Sequence, residues 1–151
     1  MRYINCPTDY YIRRPASLAM RTLRVLVVDD NLVCAKILEQ TATCAFLSNN
    51  VQLKATIHTS ADAALHDLTT NQYDIIFTDI EMPPGISGDV MAQTIRKDDR
   101  DIPIVAVTSK DDAESRVLYK SVGITHCLGK PVTKDAILDT ACKLNLIPNK
   151  N

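Results

Sequence analysis

Short apolar runs rich in β-branched residues recur along this chain, each followed by a stretch of helical spacing, and this alternation restricts the possible folds more than any other feature. Residues 24–28 (RVLVV), 53–58 (LKATIH), 74–78 (DIIFT), 102–107 (IPIVAV) and 125–128 (THCL) read as strands. Between them, Asn31 caps a helix to about residue 45 with Val33, Ile37 and Leu38 at helical spacing, and Ser60 caps a short one through residue 68. A third helix covers 88–96, and a polar fourth runs from near Asp111 to just before Gly123, a helix-ending residue. The last covers 133–144, with Thr133 as its cap. Strands apolar on both sides belong in a parallel sheet covered by helices on both faces. The expected fold is therefore α/β and doubly wound, with five strands.

With 151 residues and 46% hydrophobic content, the chain has material for one domain and a core that needs no metal or disulfide staple. The repeating pattern occupies 22–146, leaving an arm at 1–21 and a short tail at 147–151. Residues 1–24 hold five arginines (Arg2, Arg13, Arg14, Arg21, Arg24) against Asp9, leaving 12 basic and 17 acidic residues for the rest. A folded part this acidic is a poor coat for nucleic acid, so no nucleic-acid partner is expected. No apolar run approaches the roughly 18–20 residues of a membrane span, and the N-terminus lacks the apolar stretch of a secretory signal. The five cysteines are odd in number and without C-x-x-C spacing, which fits thiols in a reducing compartment. Cytoplasm, with the nucleus open to a eukaryotic protein, is the expected location.

In an open parallel sheet, ligands bind beyond the carboxyl ends of the strands, where strand order reverses. Asp29 and Asp30 close the first expected strand, Asp79 the third and Thr108 the fourth, while Lys130 follows the fifth. Carboxylates gathered at one rim raise one another's pKa unless a cation joins them, and Mg²⁺ with one or two carboxylates plus phosphate is the common solution. A carboxylate can attack phosphorus to give an acyl phosphate. Asp79, central to the set, is the expected acceptor, with Asp30 as direct metal ligand and Asp29 assisting. Thr108 would hydrogen-bond the phosphoryl group, and Lys130 would supply a compact positive charge.

The segments Val27-Val28-Asp29-Asp30-Asn31, Thr78-Asp79-Ile80-Glu81-Met82-Pro83, Val107-Thr108-Ser109 and Gly129-Lys130-Pro131 resemble, in order and separation, the four signatures of response-regulator receiver domains. Each motif alone is weak, but four in register over about 22–146 are specific. The resemblance, to single-domain receivers of the chemotaxis-regulator type, implies a flavodoxin-like sheet of order 2-1-3-4-5 and a cis Lys130–Pro131 bond. It also implies Mg²⁺ bound by Asp30, Asp79 and the backbone carbonyl of Glu81. The donor would be a sensor histidine kinase or a histidine phosphotransfer protein, and output would pass to a partner protein, with a phosphorylation-dependent dimer left open. Loop style and the lack of a DNA-binding segment fit a eukaryotic, fungal-type phosphorelay. Such a domain handles only its own aspartyl phosphate and is not counted as an enzyme. The alternatives are a pseudo-receiver that only binds a partner, and a Mg²⁺-dependent phosphatase. The phosphatase is disfavoured because its Asp-x-Asp pattern is absent after the first strand.

Three departures from the family pattern stand out. One extra residue lies within Pro84-Gly85-Ile86, ahead of Ser87-Gly88. Cys127 replaces the Tyr or Phe whose ring swings inward in most receivers, and His126 beside it faces the other way along a strand. Glu81 and Lys110, two residues after Asp79 and Thr108, sit where receivers admit the attacking water, so their opposite charges would pair and slow hydrolysis. Arg13-Arg14-Pro15-Ala16-Ser17 offers a basophilic kinase site at Ser17, weighed against contact of the arm with the acidic domain. His58, His66 and His126 show no metal-ligand spacing.

Overall fold

A computed structural model describes residues 20–98 and 100–149. The calls on the arginine-rich arm, Ser17 included, lie outside the described residues. Five units follow in strict alternation: β1 (Arg21–Val28), α1 (Leu32–Leu47), β2 (Val51–His58), α2 (Ala61–Asp67), β3 (Ile75–Thr78), α3 (Gly88–Lys97), β4 (Ile104–Thr108), α4 (Ala113–Ser121), β5 (His126–Gly129) and α5 (Lys134–Lys143). All strand pairs are parallel, in the order β2-β1-β3-β4-β5. The doubly wound, flavodoxin-like sheet is as expected.

Side-chain alternation along each strand divides the core in two. Val25, Val27, Ile75, Phe77, Val105, Val107 and Leu128 face one side, where Ala35, Leu38, Ala42 and Phe46 of α1 and Ile137 and Ala141 of α5 cover them. Leu26, Val28, Ile76, Ile104, Ala106 and Cys127 face the other, covered by Ala61 and Ala64 of α2, Met91 and Ile95 of α3 and Tyr119 of α4. Helix starts follow the expected caps: Asn31 Oδ1 accepts from the Val33 and Cys34 amides, Ser60 from Ala63 and Thr133 from Ala136. The helix expected from near Asp111, α4, is capped by Asp112, which accepts from the Ser115 amide. Gly123 ends that helix with φ of 97°, a conformation only glycine adopts without strain.

Strand ends differ from expectation by a few residues. β1 begins at Arg21 and β2 at Val51, because the two pair along their full lengths from Arg21↔Val51 onward. β4 starts at Ile104, since Pro103 has no amide hydrogen to give the ladder. Cys34, Cys127 and Cys142 are free, but Cys44 is disulfide-bonded, against the expectation of thiols throughout. An odd count without C-x-x-C spacing argues against a framework, not against a single pair. No described helix is long and apolar enough to cross a membrane.

Candidate functional site

The chain runs from β1 to β2 on one side and then to β3 on the other, so strand order reverses beside β1. Asp29 and Asp30 follow β1, Asp79 follows β3, Thr108 ends β4, and Lys130 follows β5. The sheet thereby gathers residues a hundred positions apart at one rim.

Carboxylate oxygens of Asp29, Asp30 and Asp79 lie within 4.8 Å of one another, the one such group of potential metal ligands among the described residues. Lys130 Nζ reaches both Asp29 Oδ2 and Asp79 Oδ2 at 3.2 Å. Asp29 is buried and its Oδ1 accepts from the Asn31 amide at 2.9 Å, which fixes its rotamer. Asp79 Oδ1 accepts from the Ile80 amide at 2.7 Å, leaving Oδ2 toward the lysine. Thr108 is buried, its Oγ accepts from the Lys110 amide at 3.1 Å, and its carbonyl accepts from the Lys130 amide at 2.9 Å. The Lys130–Pro131 bond is cis, as is Pro83–Pro84 in the lengthened loop.

Burial pushes the Asp79 carboxyl above its ordinary pKa, against the Lys130 charge and the Ile80 amide. At Lys130 burial pulls the other way, but Asp79 and Asp29 outweigh it and the ammonium titrates higher than usual. One ammonium among three acids leaves a net negative pocket of hard oxygen donors. That chemistry fits a divalent cation such as Mg²⁺.

The backbone around Asp79 is seated as firmly as its side chain. Thr78 Oγ donates to the Asp79 carbonyl at 2.8 Å, and the Gly88 amide donates to the Ile80 carbonyl at 2.8 Å. α3 comes so close that a Cβ at Gly88 would lie 2.0 Å from the Asp79 carbonyl oxygen. Sequence reading has Gly88 as a helix start and, with Ser87, as part of the loop that resembles receivers, and does not show this close approach.

Glu81 Oε1 pairs with Lys110 Nζ at 2.5 Å, so the loops after β3 and β4 are bridged as expected. The acidic cluster of Asp29, Asp30 and Asp79 includes none of His58, His66 and His126. His58 instead meets Asp67 at 2.9 Å, and Tyr73 OH donates to the same Asp67 oxygen at 2.5 Å. Burial raises the Cys127 thiol to about 12, with the Asp111 carboxylate adding to the effect, which favours the protonated thiol over the thiolate.

The response regulator receiver domain family matches residues 25–141. The chain is 37% identical over 109 residues to stress response regulator protein 1 of Debaryomyces hansenii, covering 71% of this chain and 43% of that protein. Against the protein of the same name from Lodderomyces elongisporus it is 35% identical over 111 residues, covering 72% and 29%. The chain thus spans less than half the length of these relatives. Among solved structures, the receiver domain of the Francisella response regulator 1452 superposes with a TM-score of 0.65 at 26% identity, covering 81% of this chain and 95% of that one.

Proposed function

The chain belongs to the response regulator receiver domain family, and on that footing we propose that it takes a phosphoryl group on Asp79 from a phosphohistidine donor and signals by a change of shape. The observation that carries this reading is the Lys130 ammonium shared at 3.2 Å between Asp29 and Asp79 within a three-carboxylate cluster.

In the transfer, an Asp79 carboxylate oxygen attacks phosphorus, the P–N bond of the donor breaks, and its imidazole leaves. Oδ1 accepts from the Ile80 amide and Oδ2 faces the Lys130 ammonium, so attack by Oδ2 would bring the phosphoryl group up beside the cation. Lys130 then holds one phosphoryl oxygen and the Thr108 hydroxyl another, which stabilises charge where it develops. Asp30, Asp79 and the Glu81 carbonyl, with Asp29 assisting, would hold Mg²⁺, which supplies positive charge against the remaining phosphoryl oxygens. Hydrolysis of the acyl phosphate resets the switch.

The donor lands on α1. Leu32, Val33 and Ile37 are each more than half exposed there, and a groove of about 370 Å³ beside them counts Asp29 and Lys130 among its walls. A helical histidine kinase or histidine phosphotransfer protein with an apolar face beside its phosphohistidine suits this surface. The names of the fungal relatives make stress signalling the pathway to test first.

Acetyl phosphate with Mg²⁺ decides the matter. One equivalent of an alkali-labile adduct should form, and Asp79→Asn should abolish it. No adduct would mean a pseudo-receiver, and steady turnover of an added phosphomonoester would mean a phosphatase.

A further inference from the structure

Cys127 stands where an inward-swinging ring is expected, so the route from Thr108 to the far side of β5 has to run through other atoms. Asp111 supplies them. It lies three residues beyond Thr108, and Arg116 of α4 grips its carboxylate with both arms of the guanidinium, Nε to Oδ1 at 2.6 Å and Nη2 to Oδ2 at 2.8 Å. Such a planar fork fixes direction as well as distance.

The same carboxylate lies against β5. A Cβ at Gly129 would meet Asp111 Oδ2 at 2.9 Å and Asp111 Cβ at 3.4 Å. Gly129 immediately precedes Lys130, and Cys127 shares its face of the strand. Thiol and carboxylate are near enough to influence each other's titration. The connecting segment has little slack: Thr108 Oγ accepts from the Lys110 amide, and Asp112 caps α4 through the Ser115 amide at 2.8 Å. A shift of the Thr108 segment would therefore bear on Asp111, and through it on Arg116 of α4 and Gly129 of β5.

We propose that Asp111, gripped by Arg116 over Gly129, is the positioning residue that couples the acceptor site to α4 and β5 in place of an aromatic ring. The inference rests on the reading of Asp79 as phosphoacceptor.

Amide chemical shifts of the full chain, with and without beryllofluoride and Mg²⁺, test it. The wild-type chain should respond at Asp79 and Thr108 and also along α4 and at Cys127 and Gly129. Asp111→Ala should keep the first set of shifts and lose the second. Arg116→Met should lose those of α4 while keeping those at Cys127 and Gly129, and adding it to Asp111→Ala should change nothing further. A merely space-filling Asp111 would lower thermal stability and leave the transmitted shifts in place. Wild-type amplitude along α4 and β5 in Asp111→Ala overturns the coupling alone. Absence of any response at Asp79 in the wild-type chain overturns the acceptor reading and the coupling with it. Should Asp111→Ala fail to fold, α4 shifts that persist in Arg116→Met overturn the proposal, and their loss supports it.

Discussion

Replacing Gly88 by alanine should damage both stability and phosphorylation, because the added methyl has no room. Its carbon would sit 2.0 Å from the Asp79 carbonyl oxygen and 3.1 Å from the Asp79 carbonyl carbon. Carbon and oxygen need about 3.2 Å or more to avoid repulsion, so α3 or the acceptor's own peptide must retreat by about 1 Å. Neither retreats freely. The Gly88 amide is bonded to the Ile80 carbonyl at 2.8 Å, and Met91, Ala92 and Ile95 of α3 are buried in the core. Overpacking of this kind costs about 1–3 kcal/mol, read as a lower urea midpoint at unchanged slope. A displacement of about 1 Å at the nucleophile lowers the rate of labelling by acetyl phosphate by about 10²-fold, followed by intact mass. Gly85→Ala is the internal control: its Cβ would meet Asp62 Oδ2 at 3.4 Å and Met82 O at 3.8 Å, ordinary contacts. It should change stability by less than about 0.5 kcal/mol and labelling not at all. Gly88→Ala with wild-type midpoint and wild-type labelling would refute the steric argument.

Three further outcomes follow from other parts of the molecule. Alanine at both Glu81 and Lys110 removes the bridge across the mouth and should shorten the aspartyl-phosphate half-life by up to about fivefold, the span of an exposed ion pair; an unchanged half-life shows that the bridge does not screen the site. Asp67 is held at about 2 by hydrogen bonds from Tyr73, Asn71 and His58, against burial. Its folded pKa lies below the unfolded one, so it contributes stability at pH above about 4 that is lost as pH falls toward 2. Asp67→Asn should therefore cost about 1–2 kcal/mol at neutral pH and flatten the acid limb of the stability curve, and an acid limb as steep as wild type would contradict this. Cys127, buried and raised to about 12, should resist iodoacetamide at pH 8 until the chain is unfolded; modification at the rate of an exposed thiol would place it elsewhere.

The acidic pocket was legible in the sequence because strand ends can be read one strand at a time, and a parallel sheet brings such ends to one rim. Asp29, Asp30, Asp79 and Lys130 needed no more than that. The inward face of Cys127 followed from alternation along a strand. What covers that face did not, because Asp111 reaches it from a loop, and the reach depends on where α4 sets Arg116. The Asp67 cluster was hidden for a similar reason. His58, Asp67 and Tyr73 end or precede three different elements and meet only through the pitch of α2 against β2. Gly88 shows a further limit: a glycine at a helix start has many uses, and only coordinates reveal that a carbonyl fills the space its side chain would take.

Spreading the pocket over neighbouring but non-consecutive strands has a consequence for biosynthesis. The ammonium that balances the first-made acids sits 101 residues after Asp29, directly after the last strand of the sheet. Until β5 slots in beside β4, an emerging polypeptide carries Asp29 and Asp79 without the ammonium that they share in the folded chain. On the proposed reading, the Lys130 ammonium joins Asp79 only once the sheet is complete, so a half-made chain should not take up phosphate.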